Sequence, residues 1–240
     1  MAAPSPAAIE RHPHLADACP DGWVRVDMHS HTMFSGDSTT TLDEICEAVA
    51  DAGIDVLCVT DHNAIEGAKR LGRALEGTCR VIIGEEVRTH TGEIIGLFLS
   101  EKVSFGANAL DTARQIRDQG GIVYVPHPFD PMRRNITETS LVDLVDAGLV
   151  DAIEAHNSKT SLASLNTRAR EFGIDHGLAL GSGSDAHVPL ALGSAYVEMP
   201  DFDGPTEFLE RLRDGRVVGH HWDEPRPWSP RIVPSISDDY

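Results

Sequence analysis

The feature that most constrains the fold is a rhythm. Short apolar runs of strand length recur along the chain, each ending in a polar cluster and most followed by a segment of helical periodicity. The runs lie at 23–28, 54–60, 81–87, 122–125, 150–155, 178–181 and 195–199. Between the first two, Thr41-Leu42-Asp43-Glu44 has the form of a capping box. Leu42, Ile45, Val49 and Ala52 then recur at helical spacing until Gly53. Similar patterns predict helices over 64–75, around 110–117 before Gly120-Gly121, over 140–147, over 162–172 stopping at Gly173, and over 205–213. Seven strands alternating with helices demand a parallel sheet, and the run 93–99 after Thr91-Gly92 reads as an added hairpin strand. In a closed barrel or an open parallel sheet, the loops leaving the strands' carboxyl ends gather on one side, where active sites form.

At 240 residues the pattern fits a single α/β domain. Residues 1–22, rich in alanine and proline, read as a flexible arm in which His12 and His14 carry no function; 23–221 form the body and 222–240 an extended tail. No apolar run approaches the roughly 18 residues of a membrane span. The start of the chain lacks the basic-then-apolar form of a secretory signal. Cys19, Cys46, Cys58 and Cys79 show no Cys-x-x-Cys spacing, so a reducing, cytoplasmic setting is expected. The formal charge of −18 opposes attraction to membranes and long nucleic acid. It does not oppose a small phosphorylated substrate, because bound divalent cations reverse the field of a cleft.

Chemistry concentrates where the strands end. Asp27, His29 and His31 share one face by strand alternation, and Asp37 follows six residues later. Later strand ends contribute His62; Glu85 or Glu86; His127; His156; and Asp185 with His187. One such histidine is an ordinary structural residue, but six strand ends offering ligand-type side chains on one side are not. Imidazole and carboxylate without thiolate suit zinc, manganese or iron. The set exceeds the needs of one tetrahedral ion, so two or three divalent metal ions with bridging groups are expected. Such ions generate hydroxide near neutral pH and hold a phosphoryl group between them. Arg133-Arg134 after His127-Pro128 offers guanidinium geometry matched to phosphate.

Asp27-x-His29-x-His31, Ser35-Gly36-Asp37, Thr60-Asp61-His62, Gly84-x-Glu86, His127-Pro128 and Ser184-Asp185-Ala186-His187 resemble, in order, the motifs of the PHP (polymerase and histidinol phosphatase) family over roughly 24–199. The resemblance implies a distorted (β/α)7 TIM-like barrel that holds up to three metals and hydrolyses phosphoesters. By motif, His29, His31, Glu86 and Asp185 would bind one ion. Glu86 would bridge to a second ion that takes His127, and Asp37, His62 and His187 would bind the third. The family commonly places a histidine on the hairpin where this chain has Glu93, with His90 nearby as an alternative. Asp27 and Asp61 would orient ligating imidazoles.

His156 and Asn157 stand where a substrate would be met, beside Arg133 and Arg134, and His187 or His156 would serve as the acid. His176, His220 and His221 belong to no motif and read as surface residues. The expected activity is hydrolysis of small phosphorylated substrates, such as nucleotides or short oligonucleotide ends, by metal-activated hydroxide. The competing readings are a non-catalytic PHP module bound to a polymerase or other partner, and a histidinol phosphatase. An amidohydrolase barrel also opens with His-x-His, but none of the three lysines (Lys69, Lys102, Lys159) fits its bridging position.

Overall fold

The computed structural model describes residues 3–222. Apart from Trp222, the predicted tail lies outside the described residues. The strands are β1 (Trp23–Ser30), β2 (Val56–Val59), β3 (Arg80–Thr89), β4 (Gly92–Leu97), β5 (Ile122–Val125), β6 (Ala152–Asn157), β7 (Ala179–Gly183), β8 (Ala195–Pro200) and β9 (Arg216–Gly219). The helices are α1 (Pro6–Arg11), α2 (Leu42–Ala52), α3 (Glu66–Ala74), α4 (Ala109–Asp118), α5 (Glu138–Asp146), α6 (Ala163–Asp175) and α7 (Gly204–Leu212). The sheet runs β7-β6-β5-β4-β3-β2-β1-β8-β9 and curls until β9 lies beside β6 and β7 and β1 meets β7, giving a nearly closed, distorted TIM-like barrel.

The sheet is mixed rather than parallel throughout. β1, β2 and β3 pair in parallel, as do β5, β6 and β7. The hairpin strand β4 is wedged antiparallel between β3 and β5. β8 returns antiparallel to β1 because no α-helix separates it from β7, and a parallel return needs a crossover. β9, which the sequence pattern did not reveal, adds antiparallel to β8.

Capping chemistry sets the helix starts as the sequence predicts at α2, where Thr41 and Glu44 exchange side-chain-to-backbone hydrogen bonds and Gly53 ends the helix at φ 64°. At α6 the expected stop at Gly173 is wrong: the helix continues to Asp175. Gly173 is a packing glycine, since a Cβ there would lie 2.6 Å from Leu180 and 2.7 Å from Ile153. The barrel interior is filled by Val26, Met28, Val56, Cys58, Leu97, Tyr124 and Val197. Two further apolar layers join the sheet to α4–α6 on one side and to α1–α3 on the other. None of the described helices is long and apolar enough to cross a membrane.

The amino-terminal segment is not the loose arm expected for His12 and His14. Ser5 caps α1, with Pro6 in its first turn, and the backbone N–H of Ser5 reaches Asp51 O at 2.8 Å. His12 is fully buried. Its Nε2 lies 2.9 Å from Leu190 O and its Nδ1 2.9 Å from His220 Nε2. His14 Nε2 reaches Gly193 O at 2.8 Å. His220 is accordingly half-buried rather than a surface residue, whereas His176 and His221 are exposed. The signal lay in Ala8 and Leu15, two apolar residues that the docked segment buries.

Candidate metal centre

The barrel's carboxyl end collects all nine side chains named from the sequence as ligands. They form four overlapping groups: His31, Asp37, His62 and His187; His29, His127 and Asp185; His29, His31 and Glu86; and His62, Glu86 and Glu93. Within each group the donor atoms lie within 4.8 Å of one another. Glu93 is within one of these groups, 3.6 Å from His62 Nδ1 and 4.0 Å from His127 Nε2, while His90 is exposed. Strand alternation turns Glu86 inward and Glu85 outward, where Glu85 accepts the backbone N–H of Val103 at 2.7 Å.

Sharp turns aim these groups. His127 and Asp185, each just past a strand, adopt left-handed φ values of 27° and 50°. Strain of this kind persists where surrounding bonds over-determine it. Gly183 permits the close approach of β7 to β1 beneath the site, because a Cβ there would lie 2.3 Å from that of His29.

Neighbouring bonds fix the imidazoles. His31 Nδ1 lies 2.9 Å from Ser35 Oγ, which donates to Asp61 at 2.8 Å, so Asp61 orients His31 through Ser35. Asp27 does not orient an imidazole. Its carboxylate accepts the backbone N–H groups of His29 (3.2 Å) and Ser184 (3.0 Å), stitching β1 to the loop after β7.

Glu154 is the residue sequence reasoning missed. Fully buried, it accepts His29 Nδ1–H at 3.0 Å, the His127 backbone N–H at 2.7 Å and Asn157 Nδ2 at 3.0 Å. A register shift in β6 between Glu154 and His156 is the cause. It keeps Glu154 and Asn157 on the inner face and turns His156 outward, against Gly219 and 3.4 Å from Asn166 Nδ2. His156 is therefore outside the site. Asn157 spends its amide on Glu154 and on Asp185 (3.3 Å), so it braces carboxylates instead of facing the cleft.

Charge is balanced tightly. Burial opposes ionisation of His29, yet Glu154, Asp185 and Glu86 hold its pKa well above the usual histidine value. His62, with burial again opposing, is raised to about 10 by Glu86 and Asp37. His31 goes the other way, to about 3, through burial and the adjacent His187 and His62. Burial and neighbouring Glu86 push Glu93 up to about 7. His31 Nε2 is turned to Glu86 (3.3 Å) and Asp185 (3.4 Å). Imidazoles and buried carboxylates converging in this way fit divalent transition-metal ions.

A cleft of about 170 Å³ opens over the cluster, lined by Asp37, His62, His187 and, on its rim, Arg88, Arg133 and Arg134. Arg133 Nη1 lies 3.2 Å from Asp185, and Arg134 is exposed. Arg88, 3.2 Å from Glu93, and Lys159, 2.9 Å from His187 Nδ1, were not singled out from the sequence.

Comparison with known proteins agrees with this architecture. The PHP domain family matches residues 27–172, and a PHP-associated family matches 163–217. An uncharacterised protein of Methanocaldococcus jannaschii is 30% identical over 202 residues, covering 79% of each chain. Among solved structures, a two-domain protein of Bacteroides vulgatus, described as containing a predicted PHP-like metal-dependent phosphoesterase, superposes with a TM-score of 0.70. It is 20% identical, and the match covers 85% of this chain and 68% of that one. A protein of Chromobacterium violaceum described as an amidohydrolase superposes at 0.57 with 18% identity, over 68% of this chain and 88% of that one.

Proposed function

The chain belongs to the PHP domain family, and on that premise we propose that it is a metal-dependent phosphoesterase acting on small phosphorylated substrates. One observation carries the reading: three arginines ring a cleft floored by overlapping imidazole–carboxylate groups, in a chain whose net charge is −18. A cationic rim on so acidic a protein selects a small anion.

Two or three divalent ions of zinc, manganese or iron, held by His29, His31, Asp37, His62, Glu86, Glu93, His127, Asp185 and His187, would supply Lewis-acid activation of water and neutralise phosphoryl oxygens. The protein's own part is positional. Ser35 with Asp61, and Glu154, fix the His31 and His29 rings. Arg133, half-buried beside Asp185, is set to take a phosphoryl oxygen, and exposed Arg134 to meet the rest of the substrate. Of the two acids expected from the sequence, His156 faces away from the cleft and His187 is spent among the metal-holding residues. The expected substrates are small phosphate esters such as nucleotides or oligonucleotide ends.

Chelation, followed by addition of Mn, Zn or Fe and assay on p-nitrophenyl phosphate, bis-p-nitrophenyl phosphate, AMP and histidinol phosphate, tests this. Activity restored by metal on a monoester is expected. Failure on every ester by metal-loaded protein overturns the reading in favour of a non-catalytic metal-binding module.

A further inference from the structure

One arginine on the rim of the cleft is anchored everywhere except at its tip. Arg88 stands on β3 directly across from Glu93 on β4. Its backbone N–H donates to Asn63 Oδ1 at 2.9 Å, and its carbonyl accepts the Gly106 N–H at 2.8 Å. Its Nε–H donates to Glu93 Oε1 at 3.2 Å. Glu93 is itself buried, with its backbone N–H on Arg134 O at 2.9 Å. Beyond Nε, neither Nη1 nor Nη2 of Arg88 meets an acceptor among the described residues, although the side chain lines the cleft over the metal-binding groups. Arg133 differs: its Nη1 lies 3.2 Å from Asp185 Oδ2, and its Nη2 donates to Lys159 O at 2.9 Å.

Glu93 can serve both a metal ion and this guanidinium. A carboxylate offers about four lone-pair sites on its two oxygens. Oε1 accepts from Arg88 while lying 3.6 Å from His62 Nδ1, and Oε2 lies 4.0 Å from His127 Nε2. Lone pairs therefore remain for an ion in the His62–Glu86–Glu93 group. The histidine that the sequence resemblance implies at this position could not do both. An imidazole bound to metal through one nitrogen carries a proton on the other, and an N–H cannot accept from Nε–H. The carboxylate at position 93 thus goes together with an arginine held by its Nε.

We propose that Arg88 is a substrate-binding residue whose Nη1 and Nη2 each donate to an oxygen of the substrate's phosphoryl group from the β3–β4 hairpin side of the cleft, and that Glu93 positions it. The proposal rests on the phosphoesterase reading. The terminal pair of NH₂ groups on a guanidinium matches two phosphate oxygens at once. Holding Nε in advance reduces the side-chain freedom lost on binding. Arg133 meets the same phosphoryl group from beside Asp185.

Titration of inorganic phosphate into the manganese-loaded protein by calorimetry tests this without turnover. Arg88→Met should weaken phosphate by about 10- to 100-fold, the loss of a charge-assisted pair of hydrogen bonds. Arg88→Lys returns the charge but not the fork, so phosphate should still bind at least about fivefold more weakly than to wild type. Arg114→Met removes the same charge from the exposed face of α4, away from the cleft, and should leave phosphate affinity within about twofold. Manganese content should match wild type in all three. Phosphate bound as tightly by Arg88→Met or by Arg88→Lys as by wild type overturns the proposal, and so does a wild type that binds no phosphate. Loss of manganese in Arg88→Met also overturns it, making Arg88 only a support for Glu93. Arg88→Gln repeats the measurement should the methionine variant not fold. Failure of wild type to hydrolyse any ester would sink the phosphoesterase reading while leaving the phosphate titration interpretable.

Discussion

Replacing Glu154 separates two things that its carboxylate does. Oε1 takes the His29 Nδ1–H, and Oε2 takes the His127 backbone N–H and the Asn157 amide. Glu154→Ala strands three donors in a buried part of the site. At about 1–3 kcal/mol for each orphaned group, the loss is about 3–6 kcal/mol, allowing for partial relaxation. That is a large share of the roughly 5–15 kcal/mol available to a domain. Glu154→Gln is subtler. Its amide oxygen can serve the two donors at Oε2, leaving the NH₂ against His29 Nδ1. His29 must then accept at Nδ1 and carry its proton on Nε2, the atom that points at His31 (3.1 Å) and Glu86 (3.5 Å). The ring stays in place but loses its inward lone pair. Stability should fall by only about 1 kcal/mol, while metal affinity falls about 10- to 100-fold. Urea unfolding, metal titration and nitrogen NMR of the His29 tautomer read these effects separately. A Glu154→Gln protein that binds metal as tightly as wild type would refute the argument.

Three further outcomes follow from the geometry. Glu93→Ala should cost the protein metal at the His62–Glu86–Glu93 group while the His29–His31 group keeps its own, seen as a drop in metals bound per chain; an unchanged stoichiometry would remove Glu93 from the ligands. His156→Ala should leave metal content and turnover within about twofold, as expected for a side chain away from the cleft, and a loss of turnover at intact metal content would return His156 to the site. His12 has its pKa lowered from 6.5 to about 4, chiefly by burial. Between those values the unfolded chain binds more protons than the folded one, so stability is full above pH 6.5 and declines as pH falls toward about 4. Hydrogen exchange over residues 5–16 should rise across that window in wild type, and exchange that is flat with pH would contradict the docking role of His12.

The candidate metal-binding side chains were legible because most lie at or just past a strand end, and strand ends announce themselves by the apolar run before them. What stayed hidden depended on register. Alternation along β6 places Glu154 and His156 on the same face, and only the shift between them sends one inward and the other toward Gly219. No composition cue marks such a shift. The β4 insertion was visible as a hairpin, but its place between β3 and β5 is a long-range pairing. The same holds for β9 and for the docking of α1. Lys159 was read only as a failed candidate for a bridging lysine, because its relation to His187 exists only once two separate loops are clamped by Asp130 and Arg133.

The loop that carries Asp185 and His187 shows how an irregular segment can be made rigid enough for chemistry. Asp185 stands at a left-handed φ of 50°, which a non-glycine residue keeps only under constraint. On the barrel side, the Ser184 N–H is held by Asp27, the Asp185 N–H by His29 O at 2.8 Å, and Ala186 O by the His31 N–H at 2.9 Å. Farther along, His12 and His14 hold the carbonyls of Leu190 and Gly193 from the opposite side. The segment is thus pinned to β1 at its start and to the amino-terminal helix at its end, with His187 between. A side chain so placed does not depend on bound metal for its position, because its backbone is held by bonds that involve no metal. Removing metal should therefore leave exchange protection at Asp185–His187 close to that of the loaded protein, while loosening the amino-terminal segment should lower it even with metal present.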